Sequence, residues 1–160
     1  MEQKHVLVAL VEDKPGVMMR ISGLFARRHF NIETISVGHT EKEGVSRITL
    51  TVGGDQREIE QVMKQLNKLV EVLKVSRMEN DSIMRELALL KINTKDDEAR
   101  AEVIQYANIF RGRIVDVTNE SIVVEITGDS SKVEAFVNLV NPFGIKELAI
   151  TGVTAMARGP

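Results

Sequence analysis

The chain has 160 residues, of which 43% are hydrophobic and 28% are charged, and its formal net charge is −2. This composition excludes a disordered chain, and the near-neutral charge gives no general attraction to nucleic acid or to anionic membranes. Cysteine is absent, which excludes disulfides, thiolate metal ligands and a cysteine nucleophile. No apolar run approaches the roughly 20 residues of a spanning helix, and the N-terminus lacks a signal-peptide cleavage site. We therefore expect a cytoplasmic protein that makes no membrane contact.

The first half of the sequence predicts a βαββαβ unit. Val6–Val11 is an apolar run short enough for a buried strand, and apolar residues at helical spacing follow Lys14-Pro15-Gly16. Two alternating segments, 31–37 and 46–52, then predict a hairpin. Asp55 is placed to cap a second helix, and the segment 70–78 predicts a closing strand.

The second half of the sequence repeats this plan. It predicts strands at 85–92, 113–117, 121–127 and 146–157, with helices at 96–110 and 130–140. Three matched pairs lie 80 positions apart: Leu10 and Leu90, Leu24 and Ile104, Phe30 and Phe110. Such an internal repeat predicts an α+β protein of two tandem ferredoxin-like units, each of roughly 75–80 residues. We expect domains at 1–78 and 83–160 joined by a linker at about 79–82, and a homo-oligomer that covers exposed sheet edges.

No constellation of residues predicts catalysis by this chain. His5, His29 and His39 have no metal-ligand spacing, and each is interpreted as a surface or strand-end residue. The GxSxG, HExxH and Walker A patterns do not occur. An RNA-recognition module shares the strand order, but 4% aromatic residues without tryptophan provide no stacking platform. We therefore expect no catalytic residue, no metal site and no nucleic-acid binding.

The turn Asp13-Lys14-Pro15-Gly16 has two interpretations. It is either a simple strand-to-helix turn, with Pro15 at the first helical position and Asp13 as the cap, or the mouth of a ligand site. In the second case the first helical amides bind a carboxylate, while acid and amide side chains bind an ammonium group. Apolar neighbours would complete a site for a free amino acid. The candidate residues are Asp13, Gly16, Val17, Met18, Asn31 and Ile32.

The second repeat provides an internal control for this turn. At the matching junction it has the sequence 93–97, NTKDD, which contains no Pro-Gly. Where the first repeat has Phe30-Asn31, the second has Phe110-Arg111. The fold therefore closes this junction without Pro-Gly, which favours the ligand-site interpretation of the first copy.

The segment LVEDKPGVMMRISGLFARRHFNIETISVG resembles an ACT domain, a ferredoxin-like module that binds amino acids as effectors. The chain is more similar still to the small, regulatory subunits of acetolactate synthase (acetohydroxyacid synthase). That resemblance extends over essentially the whole chain and includes NIETISVG, KQLNKLVEVLKV, RELALLKI, IFRGRIVDV and TGVTAMARG, in this order.

This resemblance implies a regulatory role in branched-chain amino acid biosynthesis. Such subunits bind and activate the catalytic large subunit, which carries thiamine diphosphate, Mg²⁺ and FAD and joins pyruvate to a second 2-oxo acid. They also confer feedback inhibition, usually by valine, which homodimers bind at the interface between their ACT domains. By the same resemblance, Asp13 and Gly16–Met18 come from one chain, and Asn31 and Ile32 from the other.

The resemblance also implies a role for each candidate residue. The backbone amides of Gly16–Met18 would bind the valine carboxylate, Asp13 or Asn31 the ammonium group, and Ile32 the side chain. The C-terminal unit lacks the Pro-Gly junction, so we expect its sheet and helices to serve dimer or large-subunit contacts. Leucine and isoleucine remain open as effectors beside valine.

Two other functions remain open from the sequence. A stand-alone ACT regulator would sense another amino acid and control a different enzyme or a transcription factor. A metal-responsive ferredoxin-like sensor is disfavoured by the absence of cysteine and the scattered histidines.

Overall fold

The computed structural model describes residues 3–160, so the first two residues of the expected 1–78 domain lie outside it. The chain divides into two compact units, of which the second is Met84–Thr151. The first unit runs to Ile83 and also contains the C-terminal segment Gly152–Pro160. The chain therefore passes from the first unit to the second and back again.

The first unit has the predicted βαββαβ order. Its elements are β1 (Lys4–Glu12), α1 (Val17–Arg28), β2 (Asn31–His39), β3 (Val45–Gly53), α2 (Gln56–Asn67) and β4 (Val72–Arg77). The strands form an antiparallel sheet in the order β2-β3-β1-β4, so that β2 and β4 are the edges. The α2 prediction is confirmed in detail, because Asp55 accepts the Glu58 amide while the Glu58 carboxylate accepts the Asp55 amide.

The second unit repeats this architecture, which confirms the predicted fold class. Its elements are β5 (Ile83–Asn93), α3 (Asp97–Ile109), β6 (Arg113–Val117), β7 (Ser121–Gly128), α4 (Ser130–Val140) and β8 (Ile145–Ile150). Its sheet has the order β6-β7-β5-β8, again antiparallel. A short 3-10 turn at Asn141–Phe143 leads from α4 into β8.

Each unit has its own hydrophobic core between one sheet face and its two helices. In the first unit β1 and β3 contribute alternate residues, and helices α1 and α2 contribute their apolar faces. The buried residues of this core are Leu7, Ala9, Val11, Val17, Ile21, Leu24, Phe25, Ile48, Leu50, Val52, Ile59, Val62 and Leu66. The second core is built in the same way around Leu90, Val124 and Phe136, all fully buried. The predicted match of Leu10 with Leu90 is wrong by one residue, because the buried positions 7, 9 and 11 of β1 correspond to positions 88, 90 and 92 of β5, 81 residues later.

The prediction of one long final strand over 146–157 is wrong. Strand β8 ends at Ile150, where Thr151 bonds to Leu87 through both its amide and its hydroxyl. A separate short strand, β9 (Thr154–Met156), then lies in the returning C-terminal segment. Within residues 3–160, no helix is both long enough and apolar enough to cross a membrane.

Candidate functional site

The turn between β1 and α1 is closed by backbone bonds. The Lys14 amide donates to Glu12 O at 3.0 Å, and the Val17 amide donates weakly to Lys14 O at 3.4 Å. Gly16 is the N-cap of α1 with φ +88°, a left-handed conformation that glycine adopts at little cost. The prediction of Pro15 at the first helical position is therefore wrong, since the helix begins two residues later at Val17.

The N-terminus of α1 has no side-chain cap. Within residues 3–160 no side-chain cap bond is made to this helix end, and its first turn contains no acidic residue. The interpretation of Asp13 as the cap is wrong, because its carboxylate instead lies 3.8 Å from His39 Nδ1. The first amides of a helix have no intrahelical acceptor. Such uncapped amides, aligned with the helix dipole, are suited to an anion such as a carboxylate.

Each of the other three α-helices in residues 3–160 is capped at its N-terminus by an aspartate side chain. Asp55 caps α2, and Asp96 caps α3 by accepting the Ala99 amide at 2.8 Å. Asp129 caps α4, and the Lys132 amide and Ser131 hydroxyl that donate to it hold the pKa of its carboxyl below the ordinary value. Helix α3 occupies the place of α1 in the second unit. At this junction an aspartate side chain therefore caps the helix in the second unit, whereas no side chain caps it in the first.

Asp13 lies where the end of β1 meets the end of β2. Its amide donates to Gly44 O at 2.9 Å, and its carboxylate and the His39 ring are both largely exposed. The sequence predicted that this strand ends at residue 37, whereas β2 extends to His39. The alternation of Ile35, Val37 and His39 was the signal that could have identified this longer strand.

Asn31 and Ile32 lie at the opposite end of the same sheet. Asn31 pairs with Gly53, and Gly53 pairs with Lys4 at the start of β1. The turn to α1 follows the other end of β1, where Glu12 pairs with Val45. Eight steps of about 3.3 Å along β1 separate the two ends, roughly 26 Å. One chain therefore brings the six candidate residues together only as two separate groups.

The side chains of the candidate residues differ in accessibility. Val17 is buried in the core, and Met18 and Ile32 are partly buried against it. The side chain of Val17 is therefore not accessible to a ligand, and its amide already donates weakly to Lys14 O. Asp13 and Asn31 are exposed.

An ion pair that the sequence did not predict joins the first turn of α1 to the residue before β4. Arg20 Nη1 on α1 lies 2.7 Å from Glu71 Oε1, just before β4. The Glu12 amide also donates to Glu71 O at 2.9 Å. No local sequence pattern could predict this contact, because it forms only when β4 pairs with β1.

Both units match known families. Residues 7–74 match the AHAS small subunit-like ACT domain, and residues 85–159 match the small subunit of acetolactate synthase. The probable acetolactate synthase small subunit of Methanothermobacter thermautotrophicus is 54% identical to this chain, covering 97% of it and 93% of that protein. The acetolactate synthase small subunit of Bacillus subtilis is 49% identical, covering 98% of this chain and 91% of that protein.

A solved structure matches the whole fold. The acetolactate synthase small subunit of Thermotoga maritima superposes with a TM-score of 0.91 at 46% sequence identity, over 99% of both chains. The similarity thus includes both units and the returning C-terminal segment.

Proposed function

Because this chain belongs to the acetolactate synthase small-subunit family, we propose that it binds and activates the catalytic large subunit and makes it sensitive to valine. The chain itself is a non-catalytic regulatory subunit. The large subunit would carry thiamine diphosphate, Mg²⁺ and FAD and join pyruvate to a second 2-oxo acid. The complex would work in the cytoplasm, in branched-chain amino acid biosynthesis.

The separation of the candidate residues into two groups is the observation that carries the valine site. Strand β2 is an edge of its sheet and exposes apolar Ile35 and Val37. Antiparallel pairing of two β2 strands about Ile35 would place Asn31 opposite the partner's His39. His39 lies beside Asp13 in its own chain. The same pairing would therefore join the two groups across a twofold axis and form two equivalent sites.

Each proposed site offers groups that are complementary to the carboxylate, the ammonium group and the side chain of a free amino acid. The open N-terminus of α1 binds the carboxylate through the Gly16–Met18 amides, and Asp13 or the partner's Asn31 binds the ammonium group. The partner's Ile32 contacts the aliphatic side chain. The Asp13 carboxylate attracts the ammonium group and repels the ligand carboxylate, so its net effect depends on which group lies nearer.

Valine acts by favouring one state of the assembly. A ligand shifts an equilibrium only through its differential affinity for two states. A ligand held by two chains has this property, because it binds only the relative orientation that brings both half-sites together.

The test is co-purification with the acetolactate synthase catalytic chain, followed by activity assays with and without valine. We expect Gly16→Asp and Asn31→Ala to abolish valine inhibition and to leave activation largely intact. The first substitution puts a carboxylate at the anion site, and the second removes the amide. Gly23→Ala on α1 is the matched control, since an added Cβ there meets no atom within 4 Å.

The experiment distinguishes a wrong assignment of the subunit from a wrong placement of the valine site. Failure to co-purify with and activate the catalytic chain would refute the assignment as its regulatory subunit. Normal valine sensitivity in both variants would instead show that the site has been placed wrongly.

A further inference from the structure

The C-terminal segment Gly152–Pro160, here the C-terminal strap, is packed against the first unit. Val153 and Ala155 are 5% and 1% exposed, although the segment contains only one short strand. A Cβ added at Gly152 would lie 2.5 Å from Ser36 Oγ and 2.7 Å from Ile35 O. Gly152 therefore fits against β2 only because it has no side chain.

Two arginines fix the strap by hydrogen bonds. Arg47 of β3 donates from its guanidinium group to Ala155 O, and Arg158 Nε donates to Asp81 O at 2.6 Å. Arg47 pairs with Gly38 of β2, two residues beyond Ser36. The strap thus contacts β2 at Gly152, β3 at Ala155 and the segment before β5 at Arg158.

These contacts join both passages of the chain between its units. The chain leaves the first unit after Ile83, and Asp81 lies two residues before that point. The chain returns at Gly152, the residue packed against β2. The strap is therefore attached to β2 and to both covalent connections to the second unit.

We propose that the C-terminal strap couples amino-acid binding at β2 to the second unit, with Gly152 and Arg47 as positioning residues. The proposal rests on the proposed function, in which β2 carries part of the effector site. Closely packed backbones move together, because a contact at the van der Waals limit cannot absorb a shift. A displacement of β2 on ligand binding moves Gly152, and through it the return connection of the chain.

The rival explanation is that the strap only holds the first unit together. In that case its loss weakens valine binding and valine inhibition in equal measure. A coupling element behaves differently, because its loss leaves binding intact and removes the consequence of binding.

The experiment uses the full chain with the catalytic large subunit and two variants of different kinds. Gly152→Ala introduces the Cβ that has no room at β2, and Arg47→Met removes the hydrogen bond to Ala155 O while keeping an aliphatic side chain. Thr154→Ala is the matched control, because it shortens an exposed strap side chain. Calorimetry measures the valine Kd of the small subunit, and activity assays measure activation and the valine concentration for half-inhibition. Thermal melting checks that each variant folds.

We expect both variants to keep the valine Kd within about threefold and to raise the half-inhibitory valine concentration about tenfold, within the usual range of coupling. Activation stays at the wild-type level, and Thr154→Ala matches wild type throughout. In wild type, saturating valine should also change hydrogen exchange of the strap amides.

Three results would overturn the coupling role. They are wild-type inhibition in both variants, equal losses of binding and inhibition, or strap exchange that valine leaves unchanged. If wild-type protein binds no valine at all, the proposed function fails first, and the coupling role fails with it.

Discussion

Strand β2 gives the sharpest test of the proposed dimer through the substitution Val37→Glu. Val37 is 52% exposed on this edge strand, and full burial of a valine side chain contributes about 1.5–3 kcal/mol. About half of that gain remains for an interface. Two copies across a twofold axis then contribute about 1.5–3 kcal/mol, or roughly 10- to 150-fold in the dimer Kd.

The introduced charge should weaken the dimer further. In antiparallel pairing about Ile35, position 37 faces the partner's Glu33, and like charges directly opposite in a sheet are destabilising. A lysine at position 37 would be a poor choice, because it would face the same carboxylate favourably.

Sedimentation equilibrium of the isolated small subunit measures the effect, and thermal melting checks the fold. Val117→Glu is the matched control, because Val117 is 51% exposed on β6, the corresponding edge of the second sheet. We expect Val37→Glu to dissociate the dimer and lose valine binding, and Val117→Glu to do neither. Dissociation by Val117→Glu alone would refute the β2 interface and, with it, the shared valine site.

Two further predictions concern helix ends and interiors. Gly23→Ala should raise the free energy of unfolding of the first unit by roughly 0.5–1 kcal/mol, measured by urea unfolding, because alanine suits a helix better than glycine; a loss of stability would show that the added methyl group collides with a neighbour. Asp129→Asn keeps a capping side chain but removes its titration. Since the folded-state pKa of Asp129 is lowered, its ionic contribution is complete above the ordinary aspartate pKa of about 3.9 and disappears as the pH falls through the lowered value. The stability difference between wild type and this variant, from urea unfolding across a pH series, should therefore be constant from about pH 5 to pH 7 and shrink below about pH 4; a constant difference down to pH 2 would contradict this.

Local patterns predicted the order of the elements and one helix cap correctly. They placed the repeat one residue out of register in the first strands, because Leu90 faces its core whereas Leu10 faces away from its own. The Asp55 cap follows from the choice of an acid three residues before Glu58. These features depend on residues close together in the sequence, so local patterns are enough to predict them.

The errors arose where tertiary contacts decide the structure. Strand β8 ends at Ile150, and the next residue, Thr151, bonds to Leu87, 64 residues away. His5 belongs to a strand end as expected, yet it is buried between Gly54 O and the Arg77 guanidinium group. Its partners lie 49 and 72 residues away, so no local pattern could indicate them.

The candidate site was predictable in composition but only partly in geometry. The strand order alone places Asp13 and Asn31 at opposite ends of one sheet. The left-handed conformation of Gly16 decided where α1 begins, and a single sequence does not distinguish it from Pro15 at the first helical position.

The strap also has a consequence for the order of events during synthesis. The bond from Arg47 to Ala155 joins residues 108 positions apart, so the first unit includes a segment that the ribosome makes after the whole second unit. A nascent chain can fold the contiguous second unit while β2 and β3 still lack their last contacts. The part of the protein that is translated first is therefore completed last, and until then the sheet face under the strap remains uncovered.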